Sequence, residues 1–104
     1  MSDTHRVILT ADALGDVQDI ADYIRQNSPQ NAASIAETIL NAIDSLAFMP
    51  NRFRQAGRSR KRGSPVRAMV VRPFIIYYRI EDSPAAVYIV HIRHGKRRQP
   101  RRFD

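Results

Sequence analysis

Cysteine is absent from this 104-residue chain. Its absence excludes disulfides, thiolate metal sites and thiol nucleophiles. Tryptophan is absent too, and glycine occurs only four times. There is no Gly-rich phosphate loop, no HExxH and no Ser-His-Asp spacing. No apolar run approaches the ~20 residues that span a bilayer, and the polar N-terminus lacks the apolar stretch of a signal peptide. The expected compartment is the cytoplasm. Acid is scarce as well: ten Asp and Glu face seventeen Lys and Arg, a formal net charge of +7.

The charge is unevenly placed. Residues 52–62 hold six basic residues and no acid, and residues 93–102 hold six more. Asp12, Asp16, Asp19 and Asp22 crowd into eleven residues near the start. Such polarity points to an acidic partner: nucleic acid, an acidic protein or a nucleic-acid-bound machine. At 43% hydrophobic residues the chain can bury one modest core, so residues 1–104 are expected to form a single domain.

Arg6 to Thr10 is a short strand candidate. Thr10 is placed to cap a helix in which Ala13, Val17, Ile20, Ala21 and Ile24 recur at helical spacing. Asp12, Asp16 and Asp19 fall on the other face, read as solvated. This helix should end near Asn27. Ser28-Pro29 then punctuates: Ser can cap the next helix and Pro is tolerated at its first position. Ile35, Ala36, Ile39, Leu40, Ile43, Leu46 and Ala47 continue the pattern until Pro50, so the two helices should form an antiparallel hairpin.

Residues 51–65 lack periodicity and read as an exposed basic loop tethered by Phe53. Val66–Val71, Phe74–Ile80 and Val87–Ile92 are strand candidates rich in β-branched and aromatic residues. Short links make them an antiparallel meander, with 93–104 as a basic tail. The expected fold is α+β in the order β-α-α-β-β-β, a helical hairpin packed on one face of a small, mainly antiparallel sheet. On the central strand Phe74, Ile76, Tyr78 and Ile80 should face the helices. Ile75, Tyr77 and Arg79 would then look outward as a docking row, since Tyr and Arg are favoured interface anchors.

Several local patterns resemble the RelE/ParE toxin superfamily, in its ParE-like branch, from Val7 to Pro100. Leu9-Thr10 with Ala13, Asp19-Ile20 and Tyr23-Ile24 look like its first helix. Ser28-Pro29 with Ala32 looks like the start of the second, and Leu46 with Pro50 like its end. Arg67 and Tyr77-Tyr78-Arg79-Ile80 look like its central strands. His94-Gly95-Lys96-Arg97 looks like a segment frequent in ParE relatives. The resemblance implies the toxin of a type II toxin–antitoxin or plasmid stabilisation system, neutralised by a ParD-like antitoxin in a hetero-oligomeric complex. It implies DNA gyrase as target, reached by binding and without catalytic residues; nucleic acid would be met only through the target or the complex. The target-binding candidates are His94, Lys96, Arg97 and Arg98, and the antitoxin-binding candidates Ile75, Tyr77 and Arg79.

The rival reading is a ribosome-dependent endoribonuclease of the RelE type using Arg67, Arg79, Arg93 and His94. Cleavage through a 2′-hydroxyl needs a base, an acid and cations for the developing charge. Strand alternation puts His91 and Arg93 on one face and His94 with Tyr88, Val90 and Ile92 on the other, so the histidines do not form a simple acid–base pair. No metal and no cofactor are expected.

Overall fold

The computed structural model describes residues 4–59, 64–95 and 102–103. The chain runs β1 (Arg6–Leu9), α1 (Ala11–Asn27), α2 (Pro29–Ser45), a 3-10 turn (Pro50–Arg52), β2 (Gln55–Ser59), β3 (Pro65–Val71), β4 (Phe74–Asp82), β5 (Ala85–His94) and β6 (Arg102–Phe103). The six strands form one mixed sheet in the order β1-β5-β4-β3-β2-β6. The β3–β4, β4–β5 and β2–β3 pairs are antiparallel, whereas β1–β5 and β2–β6 are parallel.

The expected α+β core of helical hairpin on sheet is present, with two strands added at the far edge. Gln55–Ser59, expected inside an exposed loop, pairs with β3; Arg102–Phe103, expected in a free tail, pairs with β2. Neither has the alternating apolar residues that mark a strand. Their backbone groups are recruited by an edge that already exists, which local pattern cannot foretell.

The helices obey their local signals. Thr10 Oγ1 accepts from the Ala13 N–H at 3.2 Å and caps α1. Ser28 ends α1 and precedes α2, its N–H donating back to Ile24 O at 2.6 Å. Its hydroxyl does not cap α2, as the sequence suggested; it accepts from Asn31 Nδ2 at 2.8 Å. With a single residue joining them, the two helices must fold back on each other. Arg52 closes the far end of α2, donating to the Met49 carbonyl at 3.1 Å and to Ser45 Oγ at 3.2 Å.

Two apolar clusters sit on opposite faces of the sheet. The larger lies under the helices and joins Ala13, Ile24, Ile39, Ile43 and Leu46 to Phe74, Ile76, Tyr78, Val87, Ile89 and Ile92. Burying each large side chain contributes about 1.5–3 kcal/mol before conformational entropy is subtracted. Phe53 packs against this cluster, as expected. The smaller cluster, on the open face, is Val66, Ala68, Tyr77 and Val90, with Ala56 and Ile75 beside it. Phe74, Ile76, Tyr78 and Ile80 thus face the helices as their alternation indicated.

Candidate functional site

The two ends of β5 are held differently. At its start, β1 runs alongside and pairs Arg6–Leu9 with Ala86–Ile89. Past Leu9 the chain turns into α1, so the rest of β5 has no strand on that side among the described residues. Side chains take over. Thr10 Oγ1 donates to Ile89 O at 2.7 Å. Asp16 Oδ2 accepts from the Ile92 N–H at 3.0 Å and stands 3.2 Å from His91 Nδ1.

Asp16 is therefore not part of a solvated stripe. It is half-buried against β5, a role the helical count hinted at: Asp16 stands three residues after Ala13 and four before Ile20, on the border of the apolar face.

A bulge between Tyr77 and Tyr78 shifts the β4–β5 register, leaving Val90 as the extra residue. It breaks the alternation used for the histidines. Tyr88 and Val90 lie on the open face, with Arg79 over the Tyr88 ring at 4.2 Å. Ile92 and His94 lie on the helix face. His94 meets Phe74 edge-on with ring centroids 5.7 Å apart. The next residue closes on the β3–β4 turn, the Gly95 N–H donating to Pro73 O at 2.7 Å. A Cβ on Gly95 would come within 3.2 Å of that oxygen, so the close approach favours glycine here.

Between α1, the start of α2 and the end of β5 opens a groove of about 670 Å³. Ile20, Ile24, Ile35, Phe74 and Ile92 line it; Asp16 and Asp19 stand on the helical wall, and Arg93 and His94 on the strand wall. Tyr23 also lines it and is well exposed. Its apolar lining and opposed charges suit a peptide segment or protein knob with one apolar anchor. A second cavity, of about 570 Å³, lies at the other end of the sheet beside His5, Pro50, Arg67 and Asp82. Next to it Phe48 and Met49 are exposed, Met49 in a left-handed conformation at φ 46°. No local pattern marks this corner, because its exposed apolar pair adjoins a proline and has no periodicity.

The open-face row Ile75, Tyr77 and Arg79 differs from expectation. Tyr77 is 2% exposed and Arg79 6%; only Ile75 is half-open. Arg79 pairs with Glu81 and stacks on Tyr88. Small Ala68 and the bulged Val90 let the side chains of this face close over Tyr77. Burial raises the Tyr77 phenol above its ordinary range, partly offset by the nearby Arg54 and Arg93. On the other face, burial pushes Tyr78 up to about 12 against Arg67 and Arg52, and its hydroxyl donates to the Pro50 carbonyl.

Arg67, Arg79, Arg93 and His94 do not converge. Arg67 sits level with Tyr78 and donates to Phe53 O at 2.6 Å and Asn51 O at 3.2 Å. Arg79, one residue further along β4, belongs to the opposite face. Arg93 and His94 pair with Ile75 and Phe74 at the far end of the sheet. Only these last two share a groove. Lys96, Arg97 and Arg98 lie outside the described residues. Among the described residues no three His, Asp or Glu side chains gather as a metal site, and no helix is long and apolar enough to cross a membrane.

The fold and sequence have relatives. The chain superposes on a structure of the chromosomal ParDE toxin–antitoxin system from P. aeruginosa with a TM-score of 0.71, at 23% identity, covering 91% of this chain and 100% of that one. It superposes on the RelBE2 toxin–antitoxin complex from Mycobacterium tuberculosis with a TM-score of 0.56, at 22% identity, covering 88% and 91%. At those identities the likeness speaks to fold alone. In sequence the chain is 39% identical over 92 residues to the toxin RelE2 of Caulobacter vibrioides, covering 88% of this chain and 97% of that protein. A family model for the ParE toxin of the type II toxin–antitoxin system parDE matches residues 7–99. By that match along nearly its whole length, the chain belongs to the ParE toxin family of type II toxin–antitoxin systems.

Proposed function

We propose that this toxin is held silent by a ParD-like antitoxin and acts by binding DNA gyrase rather than by cutting RNA. The observation that carries this reading is the dispersal of the nuclease candidates. Arg67 is committed to two backbone carbonyls and Arg79 to Glu81 and Tyr88. Neither shares a groove with Arg93 and His94. A phosphoryl-transfer site needs its acid, base and cations around one phosphate.

The target contact falls to the end of β5 and the basic stretch after it: His94, Lys96, Arg97 and Arg98. Their role is electrostatic docking. The antitoxin contact falls to the helical hairpin, where Leu14 and Leu40 are exposed, and to the sheet beside Ile75. Tyr77, offered for that contact by the sequence, would support Ile75 from beside it, while Arg79 stays with Glu81 and Tyr88. An amphipathic antitoxin helix laid on the hairpin would cover apolar surface that the free toxin exposes.

Supercoiling of a relaxed plasmid by gyrase, with purified toxin and with toxin plus antitoxin, tests the reading. Lost supercoiling with trapped cleaved DNA, reversed by antitoxin, is the expected result. Unaffected gyrase at large toxin excess, together with codon-phased cuts in translated messages, would transfer the assignment to the ribonuclease. Replacing Arg97 and Arg98 together by Ala is expected to abolish growth arrest and leave antitoxin affinity intact.

A further inference from the structure

The part of β5 proposed to meet the target is also the part that lacks a second strand beside it among the described residues. Ladder pairing on one side only leaves a strand end free to fray. In this chain the gap is closed by one carboxylate. Asp16 reaches from the second turn of α1 to the Ile92 N–H, a donor turned away from β4. The same oxygen faces His91 Nδ1. Neither side chain is freely solvated, at 27% exposure for Asp16 and 19% for His91. The contact lies immediately after the bulge at Val90, where the strand bends and its twist increases. Arg93 and His94 follow directly. Their direction therefore depends on how firmly the strand is held just after the bend.

We infer that Asp16 is a positioning residue: its carboxylate stands in for a second strand at the end of β5 and so sets the aim of His94 into the groove and of Arg93 at its rim. The inference rests on the reading that the end of β5 touches the target. Three contacts share the load from α1's side of β5. Thr10 holds Ile89 O, and Asp16 holds both the Ile92 N–H and the His91 ring. On the opposite side Gly95 is pinned to Pro73 O. Removing Asp16 leaves the end of β5 held from one side only, by its ladder to Phe74–Ile76 and the Gly95 pin, so that it can twist about the β4 edge. A hydrogen bond from a backbone N–H to a carboxylate is stronger than a neutral one, which suits a clasp working at the surface.

The test combines amide exchange with growth arrest. In the unaltered protein the Ile92 amide should exchange as slowly as ladder amides of β4, although no strand accepts from it. Fast exchange there would overturn the clasp without any variant being made. Asp16→Ala should raise Ile92 exchange tenfold or more, leave the Met69–Ile76 region of the β3–β4 ladder unchanged, and raise the toxin dose needed for growth arrest about tenfold. Asp16→Asn keeps an oxygen that can accept from Ile92 and should retain most of the protection and toxicity. Loosening spread evenly over the sheet would make Asp16 merely structural and overturn the inference. His94→Ala separates the two layers of the argument. Toxicity that survives Asp16→Ala but not His94→Ala overturns the clasp alone. Toxicity that survives both takes down the target-contact reading, and the clasp's role with it.

Discussion

Tyr77 and Tyr78 are neighbours on β4, both buried, on opposite faces of one sheet, and they are buried by different means. Tyr78 disappears under two helices, among isoleucines, with its hydroxyl on the Pro50 carbonyl. Tyr77 is closed in by its own sheet: Ala68 leaves room, the bulged Val90 fills it, and Ile75, Val66 and Ala56 complete a small cluster. Arginines rather than helices surround this second face, Arg54 and Arg93 near the phenol and Arg79 over Tyr88. The comparison teaches that a sheet face without a covering layer need not be an open docking platform. Twist, a bulge and the stems of long basic side chains can close it.

That contrast can be broken at three points of decreasing size. Leu46→Ala empties the helix-side core at a fully buried position and is expected to cost about 2–5 kcal/mol, read from urea unfolding. A cost near zero would mean that the hairpin is not what stabilises the sheet.

Tyr78 gives an alkaline signature. Its folded pKa lies near 12 against the ordinary 10, so the unfolded chain releases the proton first. The contribution is complete below pH 10 and declines as pH rises from 10 to 12, by about 2 kcal/mol at the upper end. Tyr78→Phe should flatten that slope and lower neutral-pH stability by about 1 kcal/mol for the lost hydrogen bond. An unchanged slope in the variant would assign the alkaline loss to other groups.

The smallest effect probes the open face. Ala68→Leu should destabilise by about 1 kcal/mol, because the added carbons meet the packed Tyr77 and Val90. A neutral result would show that this face accommodates bulk and is open after all.

Much of the scaffold was legible because local causes are strong where helices begin and end. Thr10 caps, Pro29 starts, and the spacing from Ala32 to Leu46 marks a buried stripe. The alternation along β4 gave the helix-facing set correctly, since each of those residues is large and apolar. The site was less legible. Asp16 reads as one more acid in a cluster of four, and its strand partner lies 76 residues away. Arg79 reads as an exposed anchor, because nothing local announces that Tyr88 will lie beneath it. The bulge at Val90 is a single residue of register; it moved Tyr88 and Val90 to the face opposite His94, and alternation has no means to detect it.

The sequence by itself determined the helical hairpin, the three-strand meander, the basic character of the chain's end and the family to which it belongs. These follow from periodicity, capping, turn residues and motif order, all of them short-range. Tertiary structure alone decided that β2 and β6 extend the sheet, that Arg67 and Arg79 are tied to the scaffold, and that Asp16 clasps the end of β5. The physical reason is common to all three. Each depends on a backbone or side-chain group finding a partner on another element, and that partner comes within reach only once the sheet has been assembled.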